Sequence, residues 1–244
     1  MGSDPKRDKE AFEDEFRQHK IDLPRYYIGR YPVTVGQFQA FVKDSGYKPR
    51  DEDCLHGLPN HPVVNVAWHD ALAYCNWLTE QLKKWKETPE PLKRLLGGEG
   101  WRITLPSEAE WENASRGPNG LIYPWGDEFD PNKANTDETK IGATSAVGCF
   151  PEGKSPYGIL DMSGNVWEWT RSLWGKDWQK PEFGYPYDPK DGRETLNAPD
   201  EIRRVLRGGS FFGLQGDARC AGRDWYGPDD WVRDVGFRVV ASPF

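Results

Sequence analysis

A single loop-rich domain that mixes a few helices with short strands is the fold class the sequence predicts, and three observations lead to it. The 244 residues suffice for one substantial core and show no linker that would split them. Two helix starts are written in capping residues, at Thr34 and at Ser107. Residues 117–156 are so rich in Gly, Pro, Asn and Asp that they support only short strands and turns. An architecture with that much loop must be fixed by side-chain and ion contacts rather than by long ladders.

Residues 1–20 are dominated by Asp, Glu, Lys and Arg, a composition that cannot bury itself and predicts a charged segment running over the surface. The domain proper, 21–244, starts with Tyr26 to Val33, an extended run broken by Pro32. Thr34 then caps a helix through Val42 with Phe38, Phe41 and Val42 on its buried side. Residues 62–66 read as a short apolar strand. A second helix begins at Asp70 or a neighbour, with Ala71, Tyr74, Cys75, Leu78 and Leu82 at helical spacing. Cys75 thereby reads as a small core residue. The prolines and glycines of 83–100 predict an inserted surface excursion. Ser107 with Glu110 three residues on forms a capping box, so a helix starts there.

The last forty residues carry the most information. Val205 and Leu206 with the Gly208-Gly209 pair, and Phe237 with Val239, form two brackets that anchor in a core. Between them, Phe212, Trp225, Tyr226 and Trp231 alternate with glycines and aspartates. Stiff amphipathic rings spaced by small hydrogen-bonding residues make adaptable contact surfaces; rings are also what a Trp-rich core buries.

With 32 basic and 39 acidic residues the net charge is −7, which repels a phosphate backbone and argues against nucleic acid as a partner. No run of about 18 apolar residues occurs and the N-terminus is charged, so neither a membrane span nor a secretion signal is expected. The four cysteines, Cys54, Cys75, Cys149 and Cys220, lie far apart without a Cys-x-x-Cys pair. Reduced thiols and a cytoplasmic location follow as the expectation.

Tyr27-Ile-Gly-Arg-Tyr-Pro-Val-Thr34, Leu105-Pro-Ser-Glu-Ala-Glu-Trp-Glu112, the block from Tyr157 to Trp169, Arg207-Gly-Gly-Ser210 and Gly236-Phe-Arg238 resemble, in order and over nearly the whole chain, the formylglycine-generating enzyme/sulfatase-modifying-factor family. The resemblance implies an α+β fold of the C-type-lectin-like kind. The family's lead-in strand ends near the position of Met1-Gly2-Ser3, which read alternatively as a vector remnant; on either reading the chain is expected to have been cut from a longer polypeptide.

Oxidase members of the family carry two cysteines shortly after the Arg-Gly-Gly-Ser block, and copper(I) selects such soft thiolates. Here Ser210 is followed by one cysteine, Cys220, outside the positions of that pair when Arg219 and Arg223 are matched to the family. A rescue would need Cys149 to approach Cys220. His19, His56, His61 and His69 form no His-Glu-x-x-His motif. Ser210 lacks the glycine of a nucleophile elbow. Glu108, Glu110 and Glu112 match the dipole of a first helical turn more simply than an acid–base role. No catalytic residue is assigned.

Asp161-Met-Ser-Gly-Asn-Val-Trp-Glu168 supplies two carboxylates and turn carbonyls, the hard oxygen set that calcium prefers. By resemblance to the family, Asp161, Gly164, Val166 and Glu168 would bind calcium, the middle two through their carbonyls, with Asn135 and Thr136 as a second site. The alternative is that Asp161 and Glu168 satisfy loop amides around Gly164-Asn165.

The sequence thus predicts a noncatalytic ligand-binding module. More narrowly it resembles the variable proteins of diversity-generating retroelements, which place a mutable stretch between such brackets. That likeness implies a scaffold of Ser210, Arg219, Ala221, Arg223, Pro228, Gly236, Phe237 and Arg238 within and around a ligand-facing segment, 211–233. The residues expected to face the ligand are Phe212, Gly213, Leu214, Gln215, Asp217, Cys220, Gly222, Asp224, Trp225, Tyr226 and Trp231, and the partner would be a protein or other macromolecule. Two further classes stay open: a divergent metal-dependent oxidase or oxygenase, and a regulatory module fused to an upstream effector domain.

Overall fold

The computed structural model describes residues 1–98 and 100–243. Strand β1 (Tyr27–Ile28) is followed by helix α1 (Val35–Ser45) and helix α2 (Trp68–Lys84). A short helix α3 (Leu92–Leu96), strand β2 (Trp101–Thr104) and helix α4 (Glu108–Arg116) come next. The remaining strands are β3 (Trp167–Gly175), β4 (Arg203–Arg207), β5 (Arg223–Tyr226), β6 (Val235–Gly236) and β7 (Val240–Pro243). They form two sheets, β1-β7-β2 and β5-β4-β3-β6, in which only the β3–β6 pairing is parallel. This is the α+β, loop-rich architecture that the sequence predicts.

Local chemistry explains the helix bounds. The Thr34 hydroxyl accepts from the Gln37 amide at 3.3 Å while the Gln37 side chain accepts from the Thr34 amide at 2.9 Å. The helix runs three residues beyond the expected Val42, to Ser45, and stops where Gly46 takes a left-handed φ of 68°. The Asp70 carboxylate accepts from the Ala67 amide at 2.9 Å, so Asp70 lies in the first turn of α2 and the helix begins two residues earlier, at Trp68. Ser107 and Glu110 close a reciprocal capping box on α4 with bonds of 3.1 and 2.8 Å.

Phe38, Phe41, Tyr74 and Phe237 pack ring against ring in the principal core, where Trp68, Trp169 and Leu206 are also fully enclosed. The α1–α2 pair thereby meets the chain's last bracket. Residues 62–66 do not form a strand: Pro62 makes one bridge to Thr34, because a proline cannot donate to a ladder. The excursion 83–100 is only partly on the surface, since Leu96 of α3 is buried in the core behind α2.

The N-terminal charged segment is the larger departure. Ser3, Asp8 and Glu15 are buried, and the Arg219 guanidinium donates to Asp8 at 2.8 Å and to both Glu15 oxygens at 2.6 Å. Composition predicts solvation because it cannot see the partner, 204 residues from Glu15 and 211 from Asp8, that offsets the desolvation of these carboxylates. Breaking a buried pair by removing one partner costs about 3–5 kcal/mol. Arg219→Ala is therefore expected to lower the unfolding free energy by about that amount in denaturant titration. Limited proteolysis should then cut within residues 1–20 first.

Candidate functional site

The segment 211–233 leaves β4 through Gly208 and Gly209, whose φ values of 104° and 72° favour glycine. At Gly209 a Cβ would lie 2.9 Å from the Ala218 Cα, so the loop's return is pressed against its start. The Ser210 hydroxyl donates to Asp234 at 2.6 Å, joining the two ends of the segment. Backbone and carboxylate contacts fix what lies between. The Leu214 amide donates to Asp217 at 3.0 Å, the Gln215 amide to Glu138 at 2.8 Å, and the Gln215 side chain to Glu10 at 2.8 Å.

Nine of the expected ligand-facing residues, Phe212, Gly213, Leu214, Gln215, Asp217, Asp224, Trp225, Tyr226 and Trp231, are exposed or half-buried. Leu214 is 59 % exposed, Trp231 48 % and Phe212 41 %. The Arg233 guanidinium lies 4.0 Å from the Phe212 ring centroid, which brings the two loops of the segment together. Trp225 and Tyr226 adjoin on β5, where Trp225 is flanked by Trp174 and Trp178 at 6.5 and 6.3 Å and by Arg203 at 4.6 Å. Arg233 lies within the expected segment without being among its named contact residues, and Arg203 and Trp178 join this face from outside the segment. Trp178, 55 % exposed, was legible as a lone ring among Lys, Asp and Gln.

Cys220 and Gly222 do not face a ligand. Cys220 is fully buried, its thiol accepts from the Ser115 hydroxyl at 2.9 Å, and its amide donates to the Ile122 carbonyl at 2.7 Å. A Cβ on Gly222 would meet the Asp217 carbonyl at 2.7 Å. Arg219 draws this stretch inward to Glu15, and Arg207 binds the carbonyls of Cys220, Ala221 and Gly222 from below at 2.8 to 2.9 Å. Burial pushes the Cys220 thiol up to about 12, so it is protonated at neutral pH. Cys149 is exposed and both cysteines are unpaired.

The expected calcium ligands lie in a turn with left-handed residues at Asp161 (φ 55°), Gly164 (φ 73°) and Asn165 (φ 69°). Glu168 is fully buried, and its carboxylate accepts from Arg238 at 2.6 and 2.7 Å and from the Trp111 indole at 2.6 Å. Arg238 also donates to the Asp161 carbonyl at 2.9 Å. The Asp161 carboxylate accepts from the Gly148 amide at 2.7 Å. Burial, with Glu168 adding to it, pushes Asp161 up to about 6 against the opposing pull of Arg238. Two carboxylates facing one guanidinium leave a net negative charge, which suits a cation beside Asp161. Glu168 would contribute mainly through its field, because both of its oxygens already accept from Arg238. At the second position, Thr136 Oγ1 and the nearby Ser145 Oγ are buried without a hydrogen-bond partner, which also suits an oxygen-seeking ion.

The fold and this bracketed face define a C-type-lectin-like domain whose long loops, together with strand β5, present side chains to solvent. The family model for the sulfatase-modifying factor enzyme 1-like domain matches residues 1–243, and the chain belongs to that family. It is 30 % identical to the formylglycine-generating enzyme of Thermomonospora curvata, covering 99 % of this chain and 89 % of that protein. It is 33 % identical to the serine/threonine-protein kinase Pkn1 of Chlamydia trachomatis over 93 % of this chain, which spans only 35 % of the kinase's length. Among solved structures, PvdO from Pseudomonas aeruginosa superposes with a TM-score of 0.73 at 25 % identity, covering 99 % of this chain and 90 % of that one. Treponema denticola variable protein 1 superposes with a TM-score of 0.69 at 25 % identity, covering 92 % and 87 %.

Asp161 gives a stability signature. The folded protein holds its proton up to about pH 6, whereas an unfolded chain releases it near 4. Stability present at pH 4 is therefore lost as pH rises to 6. Asp161→Asn tolerates the left-handed backbone and is expected to raise the unfolding free energy at pH 7 without calcium by on the order of 2 kcal/mol. Denaturant midpoints measured across that pH window check it; Asp224, also pushed up to about 6 by burial, supplies a parallel variant.

Proposed function

We propose that this chain is a noncatalytic ligand-binding domain that engages a protein or other macromolecule through the loops of 211–233, as a diversity-generating retroelement variable protein would. One observation carries the reading: the segment after Ser210 holds one cysteine, Cys220, outside the positions of the oxidase pair, and it is buried and protonated, while Phe212, Leu214 and Trp231 of the same segment are exposed. A thiol in that state offers copper(I) no thiolate, whereas exposed rings on a fixed frame suit recognition. The likeness to the Treponema denticola variable protein supports the narrower version. A reverse transcriptase gene and a near-copy of the 3′ coding sequence beside this gene would support it further, and finding neither would remove it while leaving the binding module standing.

The likeness to the formylglycine-generating enzyme of Thermomonospora curvata favours a second reading, a divergent metal-dependent oxidase. Copper(I) uptake with oxygen consumption on a Cys-containing peptide, abolished by Cys220→Ser, would establish it in place of the first. A regulatory role within a longer protein is a third arrangement, motivated by the kinase relatives.

Calcium is proposed as a structural ion at Asp161, Gly164 and Val166, with Glu168 contributing its charge while its oxygens stay on Arg238. An ion that binds only the folded chain stabilises it by about 2.7 kcal/mol at a hundredfold excess over its dissociation constant. Added calcium should raise the melting temperature, and Asp161→Asn should abolish that rise. A melt indifferent to calcium and chelator would remove the ion from the account.

No helix among the described residues is long and apolar enough to cross a membrane, and a cytoplasmic location remains part of the proposal. The net charge of −7 favours partners other than nucleic acid. Trp231→Ala should weaken the affinity of a peptide selected against the immobilised domain by roughly 2 kcal/mol and leave the melting temperature nearly unchanged. Trp225→Ala is expected to cost stability as well, because its ring is half-buried against Trp174 and Arg203.

A further inference from the structure

Three segments distant in sequence bring metal-ligating atoms together at the rim of the ligand face. His69 is the second residue of α2, Asp200 lies in the turn before β4, and Asp229 in the turn after β5. His69 Nε2 lies 3.1 Å from Asp200 Oδ1 and 3.7 Å from Asp229 Oδ1. The three ligand atoms are all within 4.8 Å of one another, the one such group among the described residues.

Backbone bonds hold each ligand in place. The Trp68 amide donates to the Pro228 carbonyl at 3.1 Å, hanging the 227–230 turn from the start of α2. That turn is closed by the Asp230 amide on the Gly227 carbonyl at 3.0 Å and by the Gly227 amide on the Asp230 carboxylate at 2.8 Å. The Ile202 amide donates to the Pro199 carbonyl at 2.9 Å, fixing the turn that carries Asp200. The His69 ring packs edge-on to Trp68 with centroids 5.3 Å apart.

We propose that His69, Asp200 and Asp229 form a binding site for a divalent metal of the zinc class. One imidazole nitrogen and two carboxylates are ligands that zinc accepts, and bonds of about 2.1 Å in tetrahedral array place ligand atoms roughly 3.4 Å apart. The two measured separations from His69 bracket that spacing, so only the two aspartates have to close toward each other. Two carboxylates this close repel, and Arg50, which pairs with Asp229 Oδ1, offsets one of them; a dication offsets both. Three protein ligands leave a fourth position to solvent. On the ligand-face reading, the ion would pin the turn that leads into Trp231 and offer its open position to a bound partner. The site itself does not depend on that reading.

The test uses the chain alone with zinc in calorimetry, and with cobalt as a coloured substitute in visible absorption. One equivalent should bind, and His69→Ala and Asp229→Asn should each weaken it by roughly tenfold or more, the least that losing even an outer partner costs a metal site. Arg50→Ala removes the competitor for Asp229 and should tighten binding by roughly two- to fivefold, the worth of a surface ion pair. His69 and Asp229 are partly exposed, so both variants should keep the wild-type melting temperature; if either unfolds, the gain in Arg50→Ala still decides. No stoichiometric binding would overturn the proposal, as would affinity unchanged in His69→Ala and Arg50→Ala, which would point to adventitious capture by His56 or Cys149. Either result leaves the peptide-binding experiment on Trp231 unaffected, so the two readings fail separately.

Discussion

The Arg207 guanidinium holds helix α4, strand β4 and the returning loop of segment 211–233 in one place. It pairs with Glu112, lies 3.5 Å from Glu108, and donates to three successive carbonyls of the 220–222 stretch. Around it, Glu112 also accepts from Arg116 at 2.7 Å, and Glu108 accepts from Arg223 at 2.6 Å. Burial alone would raise the Glu112 carboxyl, but Arg207 and Arg116 together hold it down to about 2. Charges taken out of water are tolerable only when each finds its partners, so none of these residues can be lost singly without a large penalty.

A network of this kind substitutes for long ladders. The strands are short and β1 and β6 are only two residues each, so the loops between them need another source of order. Guanidinium groups supply it because each can bind several carbonyls and carboxylates at fixed angles. Arg238 ties the last bracket to Glu168, Leu160 and Asp161, and Arg223 ties β5 to Glu108 and the Phe183 carbonyl. The exposed rings therefore stand on a frame whose rigidity comes from polar contacts beneath them.

Local chemistry was legible in the sequence and long-range polar chemistry was not. Thr34 and Ser107 announce their helices because a cap and its partner lie three residues apart. Glu15 and Arg219 announce nothing, because the carboxylate and its guanidinium meet only after the whole domain has folded. The same reason misplaced Cys220: its neighbours Gly216, Asp217 and Gly222 suggest an open loop, whereas Arg207 and Arg219 on either side pull it under. Glu168 was legible as an acidic residue needing a cation, and the cation seen is the guanidinium of Arg238. His69 and Asp229 carry no local motif; the Trp68–Pro228 backbone bond that joins their segments is invisible in the chain.

Strand β7 lies between β1 and β2, so the sheet that opens the domain is completed by residues 240–243. Loop-closure entropy must be met before so distant a pairing rewards the chain. On a ribosome, β1 and β2 emerge without their central partner and the aromatic core waits for Phe237. Residues 211–233 join the fold late in synthesis and between two anchors, so changes at their exposed positions, such as Leu214 and Trp231, leave the order of assembly the same, whereas changes at Arg219 or Arg223 reach the buried ion pairs that fix the loop.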